Sequence, residues 1–131
     1  MTKKELQRHR KLRIELQNIE YQIVDVDAKI KKSTAQYGKT TRGGKPSDKE
    51  DTIIKLIELK KRYEIQGGKI ISEQMEIENE LEKLSDPVEK AVLRYRYIDN
   101  MDWEDVSIMI KYERAQTFRI HTRAIRNLQK I

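Results

Sequence analysis

The chain has 131 residues, of which 38% are charged and 37% hydrophobic, and its formal net charge is +6. This apolar content is low for a compact globule and fits long helices that bury only one stripe of residues. The lack of cysteine excludes disulfides and thiolate metal sites, and two distant histidines suggest neither a metal cluster nor a cofactor site. We see no signal-peptide core and no membrane-spanning run, so we expect a cytoplasmic protein without membrane contact.

A heptad pattern predicts a first long helix over residues 3–35. Its apolar residues are spaced four and three apart, which keeps them on one helical face: Leu12, Leu16, Ile19, Ile23, Val26 and Ile30. A helix of this length, roughly 50 Å, is unstable alone in water and needs a partner that covers its stripe. His9, near the start of the helix, is expected to be solvated.

A stretch rich in Gly, Thr and Lys, at about residues 36–48, is predicted to be a loop. Its G-K-T and G-G-K lack the phosphate-loop spacing, and no apolar strand precedes them, which disfavours a nucleotide site. A second stripe then predicts a second long helix: Ile53, Leu56, Tyr63, Ile70, Ile77, Leu81 and Leu84. Within this helix, Gly67-Gly68 predicts a kink or break.

Together the two stripes predict an antiparallel, coiled-coil-like helical hairpin over residues 1–85. A single hairpin with these stripes buries little apolar surface, so we expect residues 1–85 to associate into a homo-oligomer.

A second domain, residues 86–131, is predicted to contain three short helices. Asp86 caps the first helix, and Pro87 stands at its first helical position. Residues 98–100 form a turn, the second helix starts from Asp102, and residues 111–113 form a tight turn. The third helix starts at about Arg114. We expect Trp103 to be a core residue of this all-α arrangement.

The third predicted helix separates its charges from its apolar side. It has no acidic residue from Arg114 to Ile131. One broad side is apolar: Phe118, Ala124, Ile125, Leu128 and Ile131. His121 falls on this side and is expected to be packed or hydrogen-bonded. The opposite side carries a narrow polar ridge: Gln116, Arg119, Arg123, Arg126 and Lys130. Such a helix after a short helix and a tight turn is typical of a helix-turn-helix that enters the DNA major groove. A merely solvated basic face is the alternative.

The segment D-P-V-E-K-A-V-L-R-Y-R-Y-I-D-N-M-D-W-E-D-V-S-I-M-I-K-Y closely resembles the start of the DNA-binding fourth region of bacterial sigma factors. The continuation F-R-I-H-T-R-A-I-R-N-L is similar to small phage and prophage proteins of Gram-positive bacteria, the late-gene transcriptional activators of the RinA and ArpU type. The resemblance implies sequence-specific binding of double-stranded DNA and activation of phage or prophage genes with host RNA polymerase. In the corresponding turn of the proteins that this segment resembles, a glycine usually stands where this chain has Lys111.

By position, the resemblance also implies which residues of the last helix read bases. These candidates are Arg114, Gln116, Thr117, Arg119, Ile120 and Arg123. Arg126 and Lys130 lie toward the end of the helix that rises out of the groove, and they are the phosphate candidates.

Two other classes of protein remain open at this point. The first is a protein-interaction module that binds RNA polymerase without specific DNA contact, an alternative favoured by the acidic Glu104 and Asp105. The second is a phage small terminase subunit, although its DNA-binding part usually precedes the hairpin. We do not expect an enzyme, because no carboxylate pair, nucleophile–base set or metal-ligand cluster recurs on one face.

Overall fold

The structure is a computed structural model that describes residues 1–37 and 46–131, with side chains described for residues 1–32 and 49–131. Every described element is helical, so the all-α prediction is confirmed. The α-helices are α1 (Lys3–Tyr37), α2 (Pro46–Leu81), α3 (Pro87–Leu93), α4 (Trp103–Ile110) and α5 (Arg114–Gln129). Across the described ranges, none of them combines the length and the apolar content that crossing a bilayer requires.

The chain divides into two compact units. Unit 1 comprises Met1–Arg13 and Lys69–Ile131, and unit 2 comprises Ile14–Gly68. The domain boundary predicted after residue 85 falls inside unit 1, because the first turns of α1 and the last turns of α2 share a core with the C-terminal helices. Most of the loop predicted at residues 36–48 lies outside the described residues, and the hairpin as a whole therefore stays a prediction.

Unit 2 is held together by the predicted stripes of α1 and α2. Ile19 and Val26 of α1 are buried with Leu59 of α2. Partly buried residues complete this cluster: Ile23, Ile30, Leu56 and Tyr63. The heptad of α1 thus lies on the buried face as predicted. In α2, however, Ile53 is 39% exposed, and Leu59, which the predicted stripe omitted, is buried instead.

Unit 1 contains two hydrophobic clusters. The larger one joins all the helices of the unit except α4: Leu6, Ile77, Leu81, Leu84, Leu93, Tyr97, Ile98, Ala124, Ile125 and Leu128. The smaller one lies between α3, α4 and α5, with Val92, Val106 and Ile120 at its centre. The helices α3 and α5 therefore rest on residues from both long helices, and α4 packs against α3 and α5.

The helix α3 begins as the sequence predicts and ends in an unusual turn. The Asp86 side chain accepts a 2.8 Å hydrogen bond from the backbone N–H of Val88, and Pro87 occupies the first helical turn. Arg94–Ile98 then continues α3 as a π-helical turn, in which the Asp99 N–H donates to the Arg94 carbonyl. This turn leaves the adjacent residues Tyr97 and Ile98 both buried in the core.

The break predicted at Gly67-Gly68 is absent, because α2 is continuous from Pro46 to Leu81. A Cβ atom added at either glycine would meet nothing within 4 Å. Glycine in a helix interior costs about 0.5–1 kcal/mol relative to alanine. We therefore expect Gly67→Ala and Gly68→Ala each to raise the free energy of unfolding by about that amount, measured by urea denaturation with circular dichroism.

The exposed Glu64→Ala change in the same helix is a suitable control, and it should alter stability by less than about 0.5 kcal/mol. A loss of stability in both glycine variants would show that these positions need the conformational freedom of glycine.

Candidate nucleic-acid interface

The turn between α4 and α5 is shaped by a left-handed residue. Lys111 has φ 62° and ψ 40°, and its backbone N–H donates to the Ser107 carbonyl, which ends α4. This is the position where related turns usually hold glycine, and the left-handed conformation explains that preference. Glu113 then precedes α5 in an extended conformation and makes no side-chain cap. The start of α5 is thus set by the backbone of a three-residue turn.

Two polar side chains lock α5 onto α4. The Ser107 hydroxyl donates to Thr117 Oγ1 at 2.9 Å, and Thr117 Oγ1 donates to the Glu113 carbonyl at 3.0 Å. Thr117 is fully buried, and Ile120 is only 7% exposed within the cluster around Val106. Neither side chain can reach a DNA groove. Thr117 and Ile120 must be removed from the predicted base-reading residues, because both position the helix.

The outward face of α5 carries most of the other predicted site residues. The exposed ones are Arg114, Gln116, Arg119, Arg126 and Lys130. The Arg114 guanidinium lies 5.9 Å from the ring centroid of Phe118. Within the described part of the chain, none of these four cations forms an ion pair. We call the surface formed by these four cations and Gln116 the α5 cationic face.

Arg123, also predicted to read bases, is bound to carboxylates of α3 and its cap. Its Nε donates to Glu89 Oε1 at 2.8 Å, and its Nη2 lies 3.5 Å from Asp86 Oδ2. Glu89 is 2% exposed and also accepts from Asn127 Nδ2 at 3.0 Å. The hydrogen bond that Arg123 donates to Glu89 raises the pKa of Arg123. Although its side chain remains 54% exposed, Arg123 positions α5 against α3.

His121 is packed and hydrogen-bonded, as predicted. It is 6% exposed, its Nε2 lies 2.7 Å from the Tyr97 hydroxyl, and its ring meets the Trp103 ring edge-on at 4.7 Å. Burial, followed by the charges of Lys3 and Arg96, lowers its pKa to about 4. The ring is therefore neutral at physiological pH, and its Nε2 shares a hydrogen bond with the Tyr97 hydroxyl.

Two aromatic or histidine positions differ from the predictions. Phe118, placed on the apolar side of α5, is 40% exposed at the edge of that side, with its ring 5.0 Å from Trp103. His9, expected to be solvated, is fully buried between Glu73, at 3.2 Å, and Arg13. Burial lowers its pKa. The burial of His9 could have been predicted from the sequence, because His9 stands three residues before Leu12 and so continues the α1 heptad toward the N-terminus.

These contacts define a small all-α protein. Its last helix buries one side in a shared core and turns to solvent a side whose cations Arg114, Arg119, Arg126 and Lys130 have no ion-pair partner among the described residues. The chain belongs to the family described as "protein of unknown function (DUF1492)", whose model matches residues 30–129. Comparisons with curated proteins and with solved structures gave no match.

Proposed function

We propose that this protein binds double-stranded DNA through the α5 cationic face and regulates transcription. The observation that carries the proposal is the charge of α5. Among the described residues, Arg114, Arg119, Arg126 and Lys130 have no carboxylate partner, and the helix itself contains no acid. These four cations of one helix repel one another, and a polyanion relieves that repulsion while releasing its own counterions.

The way α5 is held also favours a reading role. A recognition helix must present its side chains from a fixed position, and α5 is fixed on two sides, by Ser107–Thr117 toward α4 and by Glu89–Arg123 toward α3. The positions left exposed near its start, Arg114, Gln116 and Arg119, are those that meet base edges when such a helix lies in the major groove. Arginine and glutamine are suited to guanine and adenine, respectively.

The finer role rests on the resemblance to the sigma fourth region and to phage late-gene activators. We propose sequence-specific regulation of phage or prophage genes, as an activator acting with host RNA polymerase. Arg126 and Lys130, toward the end of α5, are assigned to phosphates beside the groove.

The test is fluorescence anisotropy with two duplexes, one from the intergenic DNA next to the protein's own gene and one of random sequence. We expect Arg119→Ala to weaken binding to the intergenic duplex about tenfold and to reduce discrimination between the duplexes. Lys130→Ala should weaken both duplexes alike and reduce the slope of log K against log salt by about 0.9.

Arg62→Ala provides the matched control, because Arg62 is an exposed arginine of α2 in unit 2. It should bind both duplexes like the parent protein. If Arg119→Ala and Lys130→Ala also bind like the parent, the α5 cationic face is not a DNA-binding surface and the proposal fails.

Self-association is a second part of the proposal, supported by the outward side of unit 2. On α2, Ile54, Ile57 and Ile65 are 52%, 50% and 61% exposed, and on α1, Tyr21 and Val24 are 63% and 62% exposed. Apolar residues repeated along the outer side of a helix are costly in water and are commonly covered by a second copy.

We expect light scattering at tens of micromolar to show a dimer or a larger oligomer. The double variant Ile57→Glu with Ile65→Glu should shift the protein toward monomer. A monomeric parent would contradict this part.

One observation favours a protein partner as a second candidate function. Ile108, Met109 and Tyr112 are exposed by 66%, 49% and 43% at the end of α4 and in the turn, beside the acidic Glu104. If the α5 variants leave DNA binding unchanged while Ile108→Glu abolishes binding to purified RNA polymerase, the protein-interaction function replaces the DNA-binding one.

A further inference from the structure

Unit 1 contains a half-open cleft of about 520 Å³ between the first turns of α1 and the region around α4 and α5. Four of its lining residues are cationic, Lys3, Arg10, Lys11 and Arg96, and no acidic residue lines it. Trp103 and Phe118 also line it and form an aromatic wall. This volume lies within the range of pockets that take small organic ligands. We call this space the α1–α5 cleft.

The positive charge of the cleft is not neutralised from within. None of its four cations forms an ion pair with any residue that the structure describes. The Arg10 Nε atom is buried and has no hydrogen-bond partner there. A buried donor without a partner costs about 1–3 kcal/mol.

Arg10 and Arg96 also act on each other. Burial is the first cause of the lowered pKa of Arg96, and the charge of Arg10 is the second. Arg96 is fixed by a 3.1 Å hydrogen bond from Nη1 to the Met101 carbonyl, and its guanidinium carbon lies 4.6 Å from the Trp103 ring centroid. The charge of Arg96 is thus held in the cleft by contacts with an uncharged carbonyl and an uncharged ring.

We propose that the α1–α5 cleft binds a phosphate ester, with the anionic group held by Arg10 and its neighbouring lysines and the organic part against Trp103 and Phe118. Phosphate is the anion that several convergent cations fit best, because its oxygens accept several charge-assisted hydrogen bonds at once. An ester supplies the less polar part that an aromatic wall needs, which inorganic phosphate lacks.

Such an ester has two sources, a free nucleotide or the backbone of a DNA strand. Phe118 and Thr122 line the cleft and also border the exposed side of α5. A duplex seated on the α5 cationic face would therefore bring one strand toward the cleft. This second source rests on the proposed function, whereas the first does not.

Trp103 is the only tryptophan of the chain, so its fluorescence reports directly on the cleft. The full-length protein is titrated at constant ionic strength with adenosine monophosphate, with adenosine, and with a random-sequence duplex. For a free nucleotide as the source, we expect a saturable change with adenosine monophosphate and none with adenosine. For a DNA backbone, we expect the change with the duplex alone.

Arg10→Ala should weaken whichever response is seen about tenfold, the value of one charge-assisted hydrogen bond. Lys11 is exposed, so Lys11→Ala should have little effect on stability, and it should weaken the response several-fold. The matched control is Arg8→Ala, an exposed arginine of the same helix that does not line the cleft, and it should respond like the parent protein.

The two proposals fail separately. If neither adenosine monophosphate nor the duplex changes the Trp103 signal, or if Arg10→Ala and Lys11→Ala respond like Arg8→Ala, the cleft is not a phosphate site, even when anisotropy shows DNA binding through α5. If adenosine monophosphate changes the Trp103 signal while anisotropy shows no binding of either duplex, the cleft proposal stands and the DNA-binding function fails.

Discussion

Leu6→Ala is expected to lower the free energy of unfolding of unit 1 by about 3–4 kcal/mol, although Leu6 lies far from the C-terminal helices in sequence. Its side chain is fully buried in a cluster with Ile77, Leu93 and Leu128. Removing a buried leucine side chain loses transfer free energy and leaves a cavity in the core. The change is measured by urea denaturation followed through Trp103 fluorescence, which reports on the C-terminal helices.

Ile71→Ala is the control for Leu6→Ala, because Ile71 belongs to the same unit and is 63% exposed. Its effect should stay within about 0.5 kcal/mol. A fragment of residues 86–131 lacks Leu6, Ile77, Leu81 and Leu84 and should not unfold cooperatively. If that fragment melts cooperatively like the full chain, the shared core described for unit 1 is wrong.

Glu89→Ala is expected to cost about 2–3 kcal/mol of stability. The buried carboxylate accepts from both Arg123 and Asn127, and its loss leaves two donors of α5 without their partner on α3. Glu89→Gln keeps an acceptor oxygen of the same shape and should cost about half as much. Thermal and urea unfolding of the full chain measure both changes.

The control here is Glu82→Ala, because Glu82 is 80% exposed and its nearest cation, Lys90, is 3.7 Å away. Exposed pairs of this kind contribute about 0–1 kcal/mol. If Glu89→Ala lowers stability no more than Glu82→Ala does, the Glu89 carboxylate does not hold α5 in place.

Arg123→Ala should also lower the melting temperature. A loss of DNA binding in that variant is therefore not evidence of base reading, unlike a loss in Arg119→Ala.

Sequence periodicity predicted much of the fold, because local patterns determine helices and their caps. The α1 stripe, the Asp86 cap and the bounds of α4 and α5 all follow from spacing within a few residues. Burial set by partners distant in sequence was harder to predict. Thr117 is hidden because Ser107 of another helix satisfies its hydroxyl, and Glu89 is hidden because Arg123 reaches it from 34 positions away.

The same limit applies to the candidate site. A helical wheel gives the direction of each side chain but not the width of the face that neighbouring helices cover. The covered face of α5 turned out to include Ile120, which was expected to be outward, and to leave Phe118 at its border. The cations Arg114, Arg119, Arg126 and Lys130 are exposed, as predicted.

Unit 1 is built from two segments that are distant in sequence, and this has a consequence for its folding during biosynthesis. Unit 2 is one continuous stretch, and its described core is complete once Tyr63 has left the ribosome. The core of unit 1 includes Leu6, yet the leucine that closes this core, Leu128, is translated more than a hundred residues later. Contacts so distant in sequence form slowly, since the intervening chain must first be ordered or looped. During elongation the core around Leu6 therefore lacks its α5 side until the end of translation, and we expect a chain truncated before α5 to have an open, aggregation-prone core.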